Sequence, residues 1–130
     1  MWNGQNGVFQ AHASLSIHGA GLVPEEITAL LGVEATRTST ADARGAWSFS
    51  TRDRIAEIAP LEDHLRHLLD TFEPTAEALR NIQARFSTRA FCYFASQSDL
   101  GGFKIGSATL RRLGDLGLDL DVDEYFCAEE

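Results

Sequence analysis

Asp119, Asp121 and Asp123 alternate with Leu118, Leu120 and Val122, and a carboxylate at every second position is the most chemically loaded pattern in the chain. In an extended strand the three acids project from one side, about 6.5 Å apart. Hard cations take carboxylate oxygens, but calcium loops gather their ligands by turning sharply around a glycine, whereas a straight strand holds them apart. No metal is therefore expected here. Two other uses follow from the charge. With Glu124 the column could form a docking patch for a basic protein partner, because a surface of one sign steers and orients association. The plainer account is a solvated strand face, partly neutralised by arginines on neighbouring strands.

Other residues carry chemistry more weakly. His64 and His67 stand three apart beside Asp63, but zinc needs a third ligand and helical pairs usually stand four apart. They read as surface residues flanking a leucine stripe. His12, Ser14 and Ser16 share the polar side of an early strand, and an aspartate from the last strand would complete the parts of a triad. No nucleophile elbow surrounds either serine, so no catalytic residue is assigned. Arg37, Arg44, Arg52 and Arg54 are the only concentration of positive charge. They could receive an anionic ligand, although answering the aspartates is the simpler use. Cys92 lies in the apolar run AFCYF, a setting that makes a thiol inert. The glycine clusters match no phosphate loop or dinucleotide fingerprint, and no cofactor is expected.

These residues must be positioned by a chain of 130 residues, long enough for one domain with a substantial core. An apolar fraction of 44% is that of a globular protein. The formal charge of −8 argues against nucleic acid, which requires clustered Lys and Arg. Residues 115–130 hold seven acids and no base, while the remaining 12 acids and 11 bases nearly cancel. The acidity is thus local to the C-terminal strand and tail. Cys92 and Cys127 have no metal spacing, the N-terminus has no secretory pattern, and no run approaches a membrane helix. A cytoplasmic location and no membrane partner are expected, with reduced thiols as the first reading and a single Cys92–Cys127 disulfide as the alternative.

Residues 8–18 alternate throughout: Phe9, Ala11, Ala13, Leu15 and Ile17 against Gln10, His12, Ser14, Ser16 and His18. That is a half-buried strand. Pro24 opens a short helix with an Ile27, Leu30, Leu31 stripe and Gly32 as its stop. Residues 33–36 suggest a short strand, residues 37–45 a polar loop, and Trp47 and Phe49 a further strand. Pro60 opens the clearest helix, with Leu61, Leu65, Leu68, Leu69 and Phe72 on one stripe until Pro74 interrupts it. Leu79, Ile82 and Phe86 mark the next helix. AFCYFAS reads as a central strand and residues 103–105 as a short one. Ser107 would cap a helix carrying Leu110, Leu113 and Leu116, and Gly117 would end it before the acidic strand.

Strands with one apolar and one polar side belong to antiparallel sheets with a wet face. The fold expected is therefore α+β: an antiparallel or mixed sheet of four to five strands with helices packed on one face. Its order would be ferredoxin-like βαββαβ with an added C-terminal helix and strand. The open face would display His12, Ser14, Ser16, Ser48, Ser50 and the aspartate column.

Four segments resemble the bacterial domain-of-unknown-function family 4279. They are the first strand leading into VPEEITALLG (residues 23–32), GAWSFST (45–51), PLEDHLRHLL (60–69), and the block from Ile105 through LRRLGDLGLDLDVDEYF. Asp123 and Tyr125 match the family's Asp-x-Tyr ending. The loop before Trp47 departs from it by lacking a Lys-Gly pair. The resemblance implies no activity; families of this kind sometimes accompany bacterial toxins as immunity proteins.

The function expected is a non-enzymatic protein-binding module, of which neutralising a basic toxin would be one form. It would use Asp119, Asp121, Asp123 and Glu124. The competing expectation is a small enzyme or ligand-binding domain with a pocket on the open face near His12, Ser14, Ser16, Arg37 and Arg44. Monomer and homodimer both fit, although two aspartate columns would repel across a face-to-face dimer.

Overall fold

In the computed structural model, residues 9–96 and 102–126 are described. Residues 1–8, 97–101 and 127–130, among them Cys127, Glu129 and Glu130, lie outside them. The elements run β1 (Phe9–Ala20), α1 (Pro24–Leu31), β2 (Arg37–Ser39), β3 (Arg44–Ser50), α2 (Leu61–Phe72), α3 (Ala76–Gln83), β4 (Ser87–Ser96), α4 (Ser107–Asp115) and β5 (Asp119–Phe126). They build a five-stranded mixed sheet in the order β2-β3-β1-β4-β5. Every ladder is antiparallel except that between β4 and β5. The first four strands therefore form the split βαβ arrangement of the expected ferredoxin-like order, and α4 returns the chain to add β5 parallel to β4.

The helices cover one face. Ala11, Ala13, Leu15 and Ile17 of β1, Trp47 and Phe49 of β3, and Ala90, Cys92 and Phe94 of β4 are buried beneath Ile27, Leu61, Leu65, Leu68, Leu69, Phe72, Leu79 and Ile82. Phe72 meets Phe49 edge-on at 5.3 Å, and the Trp47 indole N–H donates to Thr28 Oγ1 at 3.0 Å. The backbone is closest where β1 ends and β3 begins. A Cβ on Gly45 would stand 2.1 Å from the carbonyl oxygen of Leu22, so only glycine fits there.

Several local expectations are corrected. The strand of residues 33–36 forms instead at Arg37–Ser39, where pairing with β3 rather than alternation decides the conformation. Residues 103–105 form no strand. Leu30 and Leu110 are 52% and 48% exposed; Pro24 and Thr109 take the buried helix positions. Nor is Ser107 the cap of α4. Glu62 Oε2 accepts the Gly106 N–H and the Thr109 hydroxyl, both at 2.7 Å. β4 is apolar on both faces, but it is not doubly covered: Phe91 and Tyr93 stand half-buried on the open side.

His64 is the largest correction, since it is fully buried and not a surface residue. It stands three after Leu61 and four before Leu68, inside the leucine stripe. Its Nδ1 lies 2.6 Å from Thr51 Oγ1 and its Nε2 3.0 Å from the Ala56 carbonyl. His67 is half-buried against the Phe49 ring, with which it stacks at 6.3 Å.

Candidate functional site

Register fixes what the open face displays. Paired residues share a face, so the ladders align in rows. One row reads Arg37, Ser48, Ser16, Arg89, Asp119; the next Ser50, Ser14, Phe91, Asp121; the third His12, Tyr93, Asp123. The sequence candidates His12, Ser14, Ser16 and Arg37 are thereby brought together on one side of the sheet. Asp119, Asp121 and Asp123 share the same face but line its far edge.

That separation overturns the pairing of arginines with aspartates. β3 and β5 stand three strand spacings apart, about 14 Å, and β2 is farther. Asp121 is answered instead by Arg89 of β4, whose Nη1 lies 2.5 Å from Oδ2. Asp119 has no ion pair among the described residues, and Asp123 accepts the Tyr125 hydroxyl at 3.2 Å. That carboxylate holds the Tyr125 phenol above its ordinary pKa. Glu124 does not join the column: it pairs with the buried Phe94 and so projects to the helix side of the sheet. Arg54 turns to the helix side, over the Phe49 ring at 4.5 Å, and Arg44 is exposed at the other end of β3.

Between the two ends runs an aromatic ladder. His12 stacks on Tyr93 at 4.9 Å and Tyr93 approaches Tyr125 at 5.5 Å, crossing β1, β4 and β5. Arg89 lies over Phe91 at 5.3 Å. Tyr125 is 49% exposed, so the ladder ends in an open ring beside the carboxylates. Nothing in the period-two pattern announced it, because Tyr93 and Tyr125 are far apart in sequence and only the parallel β4–β5 ladder brings them side by side.

The β1–β3 half holds a hollow of about 280 Å³ lined by His12, Ser14, Ser16, Thr36, Arg37, Ser48, Ser50, Arg52 and Asp53. Arg44 does not line it, and Trp47 is buried on the opposite face. Asp53 holds a left-handed backbone at φ 71°, which an aspartate tolerates better than most residues. Burial, and then the neighbouring Arg52 charge, lower the His12 pKa. His12 Nδ1 and Arg89 Nε are buried without hydrogen-bond partners.

Ser14 and Ser16 have no hydrogen bond to an imidazole among the described residues, and Asp123 stands two strands from His12, so the imagined triad is not assembled. No three His, Cys, Asp or Glu side chains converge as metal ligands among the described residues. Cys92 faces the core, and burial pushes its thiol up to about 12, far from thiolate chemistry at neutral pH. No helix of the described residues is long and apolar enough to cross a membrane.

The protein is thus of the α+β class: one mixed sheet, clothed by helices on one side and open on the other. The chain belongs to the family described as a domain of unknown function (DUF4279), which matches residues 9–127. No curated protein and no solved structure matches it.

Proposed function

We propose that this protein is a non-enzymatic binding module that captures a basic polypeptide segment on the β4–β5 half of its open sheet face. The observation that carries this reading is the open Tyr93–Tyr125 ladder on the face that also carries Asp119 and Asp123, neither of which has an arginine partner among the described residues. Lys and Arg side chains bind over tyrosine rings, and nearby carboxylates strengthen and orient that contact. Tyrosines at an interface also supply much contact area for little entropy lost. Neutralisation of a basic toxin is one concrete form of this activity.

A Lys/Arg-rich peptide and a Glu-rich peptide of equal length, titrated against the ¹⁵N-labelled protein, test it. The basic peptide should shift the amides of Phe91, Tyr93, Asp121 and Asp123, with affinity falling as salt rises. Replacing Asp119, Asp121 and Asp123 by Asn should weaken binding and flatten its salt dependence; Tyr93→Ala with Tyr125→Ala should weaken it at every salt concentration. Affinity indifferent to ionic strength, or equal for both peptides, would remove the electrostatic basis of this reading.

A further inference from the structure

The opposite half of the open face has a different chemistry. Arg37 and Arg52 stand at two ends of a tetrad of serines, Ser16 and Ser48 in one row and Ser14 and Ser50 in the next, and all six line one hollow. Neither guanidinium makes an ion pair among the described residues. Some of the hydroxyl groups are committed: Ser50 Oγ accepts the Arg52 N–H at 3.0 Å and Thr36 Oγ1 the Ser50 N–H at 2.9 Å. Ser14, Ser16 and Ser48 have no side-chain bond within the described protein. His12 borders the same hollow, and its buried Nδ1 has no partner. An acidic chain has thus assembled two free guanidiniums, three uncommitted hydroxyls and an orphaned imidazole nitrogen around one concavity.

We propose that this hollow binds a small molecule through an oxyanion, a phosphate or carboxylate group, held by Arg37, Arg52 and the serine hydroxyls. Guanidinium forks match the paired oxygens of such groups, and hydroxyls complete their hydrogen bonding. The volume of about 280 Å³ lies at the small end of ligand sites, enough for the anionic group and a few further atoms. Asp53 at the rim would repel a second negative group while accepting a ligand hydroxyl. His12 supplies a reporter. The groups acting on it are Arg52, His64 and Glu57, with Tyr93 stacked on its ring. An anion set among them favours the imidazolium, so binding raises the His12 pKa.

Inorganic phosphate and acetate, each titrated by NMR against sodium chloride at matched ionic strength, decide the matter. Saturable shifts at Ser14, Ser16, Ser48 and Ser50, with an upward displacement of the His12 titration, are expected for at least one of the two. Saturation by phosphate alone points to a phosphate ester, and by acetate alone to a carboxylate. Arg37→Ala and Arg52→Ala should each weaken binding roughly tenfold, while Arg44→Ala, on the same face but outside the hollow, should leave it unchanged. The proposal is overturned if chloride reproduces the shifts, if neither anion saturates, or if the Arg37→Ala/Arg52→Ala protein binds as the parent does. Circular dichroism spectra matching the parent confirm that the surface variants are folded. Because the arginines stand across β1 and β4 from the aspartates, the result is independent of binding by basic peptides.

Discussion

His64 occupies a position in α2 that an apolar side chain could fill by packing alone, yet it carries a polar relay through the core. With the proton on Nε2, the ring donates to the Ala56 carbonyl and accepts the Thr51 hydroxyl, whose oxygen in turn accepts the Ala13 N–H at 3.0 Å. Every group is satisfied by the neutral ring, which fixes the tautomer. The relay pins the segment after β3 to both β1 and α2, beneath the loop that carries Arg52 and Asp53. The stripe of leucines left a vacancy at position 64, so its burial was legible in the spacing; the polarity of histidine and its acidic neighbour obscured it. Burial lowers the His64 pKa from 6.5, so the unfolded chain holds the proton more tightly. The folding contribution is therefore complete above that unfolded value and declines as pH falls below it, by about 1.4 kcal/mol for each unit of pKa difference. His12 is depressed in the same direction and adds to the slope. His64→Leu should cost about 1–3 kcal/mol at neutral pH, by leaving the Thr51 hydroxyl and the Ala56 carbonyl unpaired. It should also flatten the loss of stability between neutral pH and about pH 5. Urea unfolding at several pH values checks both effects, and a slope identical to the parent's would show that His64 titrates normally.

α4 is held along α2 by two clamps of unlike chemistry, and it is the element that delivers the chain to β5. Glu62 takes its N-terminus, and Arg112 takes its other end through Glu73 (2.8 Å from both Nε and Nη2) and Asp70 (2.7 Å from Nη2). Hydrogen bonds from Thr109 and Gly106 hold the Glu62 carboxyl below its ordinary pKa, and those from Arg112 do the same for Glu73. Both contributions are present above the unfolded carboxylate value and fade as pH falls through the lowered folded one. The helix itself was legible from its leucines and from Gly117. Its cap was not, because Glu62 lies 44 positions from Gly106 and a local signal favoured Ser107. β2 was misplaced for a similar reason: its three residues are all exposed, and only the β3 ladder tells strand from loop. Arg112→Lys keeps the charge but loses the fork, and should cost about 1 kcal/mol. The loss should be local as well as global, so hydrogen exchange at the amides of β5 should quicken more than at β1. Equal protection in both strands would mean that β5 is held by its ladder to β4 alone.

At the scale of the whole molecule the sheet has two faces and two edges, and the sequence spoke clearly about the faces only. Alternation of Leu15 with Ser14 and Ser16, or of Trp47 with Ser48, reports which side chains are wet without naming the neighbouring strand. Strand order is a long-range property, so the expected meeting of Arg37 with the aspartates failed even though both were correctly assigned to the open face. Among the described residues the order places β5 at an edge, its outer backbone groups unpaired by any strand. A long exposed edge is a template for pairing with another chain, and charged side chains are a common guard against it. Asp119, Asp121 and Asp123 fulfil that requirement whatever partner they also meet, since a second copy would bring an identical column of negative charge. Replacing all three by Thr keeps strand propensity and removes the repulsion. That variant should fold yet self-associate as concentration rises, whereas the Asn variant, with poorer strand propensity, should do so less. Sedimentation velocity over a concentration series separates the outcomes. A Thr variant as monodisperse as its parent would transfer the guarding role to Glu124, and would leave the aspartate column explained by recognition alone.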